Sequence, residues 1–161
     1  MHSTKNDLPQ DTRVAIISLC NARLADAVDL RTQCKQAHWN VRGTTFIALH
    51  ELFDSINEAV EDFVDLIAER AAQLGGAVEG TARTVARRST LAEYPQARGS
   101  RDHVDALSSA LAAFGKSIRV ASDESGRLGD VTTADIFTEV SRGIDKWLWF
   151  VEAHLDNEGR G

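Results

Sequence analysis

The sequence predicts an all-α protein built as a bundle of four long helices, and three observations support this prediction. The 161 residues include only two prolines, so few positions interrupt a helix. Long stretches repeat apolar residues every three to four positions, which is the spacing of one helix face. Two such stretches precede a segment of roughly two dozen residues without this periodicity, and two more follow it. A chain of this length forms about one domain with a substantial core.

The first helix is predicted to start at Asp11 or Thr12, either of which can cap it, and to end near Val41. Arg42-Gly43 then terminates it. The positions that the spacing places on the buried face are Ile16, Leu19, Cys20, Leu24, Ala27, Val28 and Cys34.

The second helix is predicted to follow a cap at Thr44 or Thr45 and to run through Leu74, where Gly75-Gly76 stops it. Residues 76–99 form a long crossover with room for one short helix. Its breaks in periodicity coincide with Gly80, Pro95 and Gly99.

A third helix is predicted from about Ser100 to Ser122, and the following segment, DESGRLGD, is predicted to be a loop. The fourth helix is predicted to start at Thr132 or Thr133 and to end near Asp156. Two long helices, one long connection and two more helices form the ferritin-like arrangement among four-helix bundles.

The bundle domain is predicted to span residues 12–157, between an N-terminal tail at 1–11 and a C-terminal tail at 158–161. The net charge of −6 disfavours a generic nucleic-acid binder, whose expected footprint is a basic patch. Cys20 and Cys34 lie about 21 Å apart along one predicted helix and cannot pair within the chain. We interpret them as reduced core thiols. With no signal peptide or membrane-spanning run, the predicted location is the cytoplasm.

Four residues with metal-binding side chains share one stripe of the second helix. At about 100° per residue, they fall within about 100° of one another on the helical wheel. They are His50, Asp54, Asp65 and Glu69. The apolar residues fall elsewhere, between about 200° and 320° from His50; they are Leu49, Leu52, Phe53, Ile56, Val60, Phe63, Val64, Ile67 and Leu74. The stripe therefore faces away from the bundle core.

The two pairs on this stripe are too far apart to bind one ion together. Asp54 and Asp65 are separated by about 16 Å along the helix axis, whereas ligand atoms lie about 2 Å from a metal. A second chain packed antiparallel on this face solves the problem. A two-fold axis near Ala59–Val60 would place His50 opposite Glu69 and Asp54 opposite Asp65, which creates two identical sites built from both chains.

A solvated acidic face is the alternative interpretation, because Glu58, Glu61 and Asp62 also lie on this polar side. His38 favours the metal site. The helices of a hairpin run antiparallel, so His38, shortly before the turn, can lie beside His50, shortly after it; a buried core histidine is the alternative. Few nitrogen ligands with several carboxylates suit iron better than a structural zinc site, which favours Cys and His.

Taken together, four motifs resemble the Dps family, the DNA-binding proteins from starved cells, which are mini-ferritins. The motifs are QAHWNVRG, FIALHELFD, DLIAERAAQLGG and TADIFTEVSRGIDKWLWFVEAHL. The resemblance runs from about Leu24 to Leu155. It implies a four-helix subunit with a short extra helix in the crossover, and a hollow homododecamer with tetrahedral (23) symmetry.

The resemblance also implies a ferroxidase centre at each two-fold interface. The catalytic and metal-binding residues it implies are His38, His50 and Asp54 of one subunit with Asp65 and Glu69 of its partner. Trp39 corresponds to a tryptophan beside the centre that intercepts oxidising equivalents, and simple packing at the helix end is its alternative role. The implied chemistry is oxidation of Fe(II), preferentially by hydrogen peroxide, with storage of Fe(III) mineral and protection against oxidative damage. Zinc or another divalent metal is an alternative occupant.

Iron must also reach the enclosed cavity, and the family uses acidic pores on the three-fold axes. The candidate pore residues are Asp123, Glu124, Asp130 and Asp135. Asp130 has an alternative role as the cap of the fourth helix.

DNA binding in the family often depends on a mobile, lysine-rich tail, which this sequence lacks. At the N-terminus, MHSTKNDLPQDTR carries Lys5 and Arg13 against Asp7 and Asp11, and the final EAHLDNEGRG is acidic. Such tails offer few counterion-releasing contacts to phosphate. The crossover region is more basic, with Arg83, Arg87, Arg88, Arg98 and Arg101. A DNA-compacting shell with secondary iron chemistry and nucleoid association is the alternative function; any DNA binding is expected to be weak, and no residue is assigned to it.

Two other classes of metalloprotein are excluded by their motifs. Ferritins with a di-iron site inside one bundle use Glu-x-x-His, and none of the five histidines follows a glutamate at that spacing. His50-Glu51 begins a zinc-peptidase motif, but Asp54 stands where the second histidine is required.

Overall fold

The computed structural model describes residues 1–155. Within that range the chain forms five helices and no strands. They are α1 (Gln10–Asn40), α2 (Phe46–Gln73), α3 (Ala82–Arg88), α4 (Ser100–Arg127) and α5 (Val131–Glu152). The predicted all-α, ferritin-like class is confirmed, and so is the short helix in the crossover.

The four long helices close into a bundle. α1 packs along α2 and α4 packs along α5, while α1 also contacts α4 and α2 contacts α5. α3 lies against α1. Phe53, Phe114 and Phe137 are fully buried in the shared core, and burying each of these rings contributes about 1.5–3 kcal/mol.

A tight turn joins α1 to α2 and sets the two helices side by side. Val41 is extended beyond the end of α1, and Gly43 then adopts a φ of 115°. This left-handed region is open to glycine at little steric cost. Because the chain reverses within a few residues, the last turn of α1 lies beside the first turn of α2.

The predicted side-chain caps of the first two helices are wrong. α1 starts at Gln10, before Asp11, with Pro9 at its N-cap and no side-chain cap bond; the Pro9 carbonyl accepts from Arg13 N at 3.0 Å. Thr45 is the N-cap residue of α2, at one of the two predicted positions, but its side chain makes no cap bond. Backbone carbonyls of the turn satisfy the first amides of α2 instead, since Phe46 N donates to Gly43 and Leu49 N donates to Thr45.

The segment DESGRLGD is helical over most of its length, so its prediction as a loop is wrong. α4 continues to Arg127. Ser125 is fully buried and its hydroxyl donates to the Ala121 carbonyl at 2.8 Å. Burial of Ser125 outweighs the polar, glycine-containing composition that predicts a loop. The chain leaves the helix at Gly129, whose φ is 86°.

α5 begins one residue earlier than predicted, at Val131, and ends at Glu152 rather than near Asp156. Asp130 caps it, because its carboxylate accepts from Thr133 N at 3.0 Å. The alternative role considered for Asp130 is therefore the one that the fold uses.

The N-terminal residues lie against the bundle. His2 N donates to the Gly75 carbonyl at 2.7 Å, and Leu8 packs on the core. Because α1 starts at Gln10, the last two residues of the predicted tail, 1–11, are helical. The predicted C-terminal tail, 158–161, and the last residues of the predicted domain lie outside the described residues.

Polar side chains of α1 attach the crossover to the bundle. Asn21 Nδ2 donates to the Ala77 carbonyl at 3.0 Å. One turn further along, the buried Asp26 accepts from the backbone amide and the hydroxyl of Thr90. Gln33 donates to a crossover carbonyl at 3.0 Å. Asn21, Gln33 and the Oδ1 atom of Asp26 are thus satisfied by the irregular segment that covers them, while Oδ2 of Asp26 forms an ion pair with Arg23 of α1 at 3.1 Å.

Cys20 and Cys34 are both free and buried, as predicted. Burial raises the pKa of each thiol to about 12, so both are unreactive at neutral pH. No helix in residues 1–155 is long and apolar enough to cross a membrane.

Candidate metal centre

His38 and His50 meet across the α1–α2 turn. Their imidazole rings stack with centroids 3.7 Å apart and planes inclined by 23°. Nδ1 of His38 bonds the His50 carbonyl at 2.8 Å, and Nδ1 of His50 bonds the His38 carbonyl at 2.9 Å. The structure therefore brings together the two histidines that the hairpin argument placed side by side.

These reciprocal bonds determine where each ring carries its proton. A carbonyl only accepts hydrogen bonds, so Nδ1–H must be the donor in both rings. Each Nε2 then keeps its lone pair when the ring is neutral, which is the form that binds metals. Backbone bonds to the second ring nitrogen are also the usual means by which proteins orient a metal-binding histidine.

Asp54 lies one helical turn beyond His50, and its partner is Lys35 of α1. Lys35 Nζ is 2.5 Å from Asp54 Oδ1. This hydrogen bond holds the pKa of the Asp54 carboxyl below its ordinary value against a small opposing effect of burial, and the nearby His38 and His50 lower it further. Asp54 is therefore an ionised carboxylate next to both imidazoles.

Asp65 and Glu69 are exposed and lie further along α2. Within residues 1–155, no group of three or more His, Cys, Asp or Glu side chains is arranged to hold one metal ion. One chain thus brings His38 and His50 together with Asp54 nearby, and it does not bring Asp65 or Glu69 to them.

Trp39 is 69% exposed at the end of α1, so the ring is not buried by packing within its own subunit. It borders a surface groove of about 410 Å³ between α1 and α2. The other residues of this groove are Arg31, Thr32, Lys35, Asn57 and Glu61.

The four pore candidates differ in their surroundings. Asp123, Glu124 and Asp135 are exposed, the first two in the last turns of α4 and the third near the start of α5. Asp130 is only 2% exposed, so its assignment to an ion-conducting pore is wrong. Its carboxylate is held inside the subunit by Arg70, which donates to both oxygens at 2.9 Å, and by Thr133.

The electrostatics of Asp130 agree with this structural role. Burial alone would raise the pKa of its carboxyl, but the hydrogen bonds from Thr133 and Arg70, together with the Arg70 charge, outweigh that effect and lower it. The group is a buried, ionised partner of Arg70.

Sequence reasoning missed two residues of this region. Lys35 pairs with Asp54, and the Phe46 ring lies 5.0 Å from the His50 ring. A signal for Lys35 exists, since it precedes His38 by three positions and therefore shares its helix face. No comparable signal identifies its partner on the other helix.

Comparisons with known proteins agree with this geometry. The model of the ferritin-like domain family matches residues 17–160. The chain is 44% identical to a DNA protection during starvation protein of Agrobacterium fabrum over 158 residues, which cover 98% of each chain.

Solved structures give the same assignment. DpsC from Streptomyces coelicolor matches with a TM-score of 0.93 and 30% identity over 99% of this chain and 94% of that one. Mycobacterium smegmatis Dps matches with a TM-score of 0.91 and 29% identity over 99% and 98%. The chain therefore belongs to the Dps proteins of the ferritin-like family.

Proposed function

We propose that this protein is a mini-ferritin that oxidises Fe(II), preferentially with hydrogen peroxide, and stores the Fe(III) as mineral inside a hollow dodecamer. The observation that carries the proposal is the His38–His50 pair, whose mutual backbone bonds keep both Nε2 atoms available for metal. Membership of the Dps family supports it. Removal of iron and peroxide together would protect the cell against oxidative damage.

The proposed centre is shared between two subunits. His38, His50 and Asp54 of one chain would bind iron with Asp65 and Glu69 of the partner subunit. The spacing of these residues supports this, because in an antiparallel pair of α2 helices one two-fold axis would oppose both pairs at once. The exposure of Asp65 and Glu69 on the free subunit is compatible with ligands that complete a site on another chain.

The donor set suits oxidation of iron in pairs. Hard carboxylate oxygens stabilise Fe(III) relative to Fe(II), while few nitrogen donors leave coordination positions for the oxidant. Two Fe(II) ions would each give one electron to one hydrogen peroxide molecule, which with two protons becomes two water molecules. Because both electrons are delivered together, no hydroxyl radical is released.

Trp39 is proposed to intercept oxidising equivalents that escape this reaction, because its exposed ring follows the ligand His38 directly. Fe(II) is proposed to enter the cavity through acidic pores on the three-fold axes of an assembly with 23 symmetry. The exposed carboxylates of Asp123, Glu124 and Asp135 are the candidates on this chain.

DNA compaction is the second candidate function, and the name of the Agrobacterium fabrum relative favours it. On this chain Arg83 and Arg87 are exposed on α3, whereas Arg88 pairs with Glu79. Twelve copies of a weak contact could add up through avidity. A gel-shift assay at low and physiological salt separates the two functions, since binding that modest salt abolishes does not support compaction.

Stopped-flow kinetics of Fe(II) oxidation tests the proposal, with stoichiometric peroxide and separately with air. His50→Ala and Asp65→Ala should each abolish rapid peroxide-driven oxidation. Asp105→Ala, which removes an exposed carboxylate from α4, is the control and should behave like the native protein. Size-exclusion chromatography must show that each variant keeps its assembly. Native-like rates in both site variants would mean that the polar stripe of α2 is only a solvated face.

A further inference from the structure

Lys35 forms an ion pair with Asp54, one of the proposed metal ligands. Lys35 Nζ lies 2.5 Å from Asp54 Oδ1, and the two side chains are 30% and 39% exposed. An isolated surface pair of this kind contributes little to stability. The pair matters because of where it lies: its carboxylate, Asp54, is one of the proposed metal ligands.

Lys35 reaches the centre from the same helix face as His38. They are three positions apart on α1, so their side chains are neighbours. The carboxylate that Lys35 holds belongs to the next helix, one turn after His50. The ammonium group therefore lies between the two helices that supply the histidines.

An ammonium and a metal ion compete for this carboxylate. A metal binds a carboxylate oxygen at about 2.0–2.2 Å, and Nζ is nearly as close to the same atom. The two cations would also repel each other strongly in a partly buried site. The Lys35 ammonium thus opposes binding of a metal ion to Asp54.

We propose that Lys35 is an affinity-determining residue of the centre: its ammonium pairs with Asp54 in the metal-free protein and competes with a divalent cation for that carboxylate. This inference rests on the proposed function. It implies that the centre binds cations at Asp54 less tightly than its donor set allows, which leaves that cation free to move on after oxidation.

The same surface groove contains a matched control. Arg31 lies four residues before Lys35 on α1 and forms an ion pair with Glu61 of α2. The two pairs are alike in charge and in the helices they join, but Glu61 is not among the proposed ligands. Arg31→Met removes one positive charge close to the centre without freeing a ligand.

Calorimetric titration of the metal-free assembly with Co(II), an air-stable divalent probe, tests the proposal. Lys35→Met should raise the Co(II) affinity of the sites that use Asp54 about tenfold, because the competing charge is gone. Arg31→Met should change it by less than about twofold, since its charge is further from the ligand. Lys35→Arg retains the charge and should not gain affinity. Damage to the fold would weaken binding, so a gain cannot come from a merely structural effect.

His50→Ala in the same titration separates failure of this inference from failure of the proposed function. If His50→Ala no longer binds Co(II) while Lys35→Met binds it no more tightly than the native protein, the role of Lys35 is refuted and the proposed metal centre is supported. If His50→Ala binds Co(II) like the native protein, both the proposed metal centre and the role of Lys35 are refuted. Circular dichroism and sizing confirm that each variant remains folded and assembled.

Discussion

The imidazoles of His38 and His50 each donate Nδ1–H to the backbone carbonyl of the other residue, at 2.8 and 2.9 Å, while their rings stack. Each histidine thereby fixes the tautomer and the orientation of its neighbour. The arrangement costs no extra residues, because the backbone of the α1–α2 hairpin supplies both acceptors. Preorganised donors lose less freedom when they bind a metal than mobile ones do.

His38→Phe tests whether His38 is a ligand, because the phenyl ring removes both ring nitrogens but retains stacking, and the His38 backbone carbonyl still accepts from His50. We expect Co(II) affinity to fall by at least the roughly 10–100-fold that loss of an outer partner of a metal ligand costs. Calorimetry on the metal-free protein measures the change. Phe46→Leu alters another ring beside His50 without removing a nitrogen, and it should retain binding. Unchanged affinity in His38→Phe would exclude His38 as a ligand.

The buried ion pair of Arg70 and Asp130 predicts a large effect on stability. Arg70→Met leaves the Asp130 carboxylate buried and uncompensated, so the free energy of unfolding should drop by about 3–5 kcal/mol. Chemical denaturation at a fixed protein concentration measures it. Arg119→Met breaks an exposed pair with Asp145 at 2.9 Å, for which only about 0–1 kcal/mol is expected. Equal losses in the two variants would contradict the account of Asp130 as a buried structural partner.

Close packing of α5 on α2 depends on Gly143. A Cβ at this position would lie 2.3 Å from Phe63 Cζ, so Gly143→Ala should destabilise the protein by about 1–3 kcal/mol through overpacking. Gly126→Ala is the control, since no described atom lies within 4 Å of its added Cβ. That variant should keep or slightly increase the melting temperature, because alanine favours helix. A native-like melting temperature for Gly143→Ala would show that Phe63 repacks freely.

His103 predicts a dependence of stability on pH. The residue is buried, and its Nδ1 shares a hydrogen bond of 2.7 Å with the Tyr94 hydroxyl. Burial lowers its pKa, although a backbone bond with Asn40 and the Asp102 charge oppose the shift. The unfolded chain therefore takes up the proton first as the pH falls. The stabilising contribution of His103 is complete above about pH 6.5, the ordinary histidine value, and is lost as the pH falls through the folded-state pKa.

Thermal melts between pH 7.5 and pH 5 measure this effect. His103→Gln should lower the melting temperature at pH 7.5 and flatten its fall towards pH 5, because the titrating group is absent. His154→Gln, at the end of α5, is the control for loss of a histidine and should keep the native pH slope. The same slope in His103→Gln and the native protein would assign the acid sensitivity to other groups.

The bundle could be predicted from the sequence because apolar periodicity reports directly which helix face is buried. The ends of the helices could not be predicted as well. Thr45 has the chemistry of a cap, yet turn carbonyls satisfy the first amides of α2. DESGRLGD has the composition of a loop, yet burial of Ser125 keeps it in α4. In both places tertiary and backbone contacts override local preference.

Some features of the candidate site could likewise be predicted from the sequence, and others could not. The proximity of His38 and His50 could be predicted, because a hairpin with a short turn allows one register. Their exchanged backbone bonds and the Lys35–Asp54 pair could not, since they depend on side-chain directions across two helices. Asp130 was misassigned because an acidic residue before a helix has the same local pattern whether it faces solvent or Arg70. The roles of Asp65 and Glu69 depend on a second chain and stay predictions.

Subunit mixing tests the shared centre most directly. His50→Ala and Glu69→Ala each disable every site in their own assemblies, so both should lack rapid peroxide-driven Fe(II) oxidation. Each site needs His50 of one chain, which only the Glu69→Ala chain supplies, and Glu69 of its partner, which only the His50→Ala chain supplies. In an equal, random co-assembly, each requirement is met in half of the sites, so both are met in a quarter of them. Our account predicts that about a quarter of the native burst amplitude returns. If mass spectrometry proves that the subunits have mixed and no activity returns, the ligands do not come from two chains.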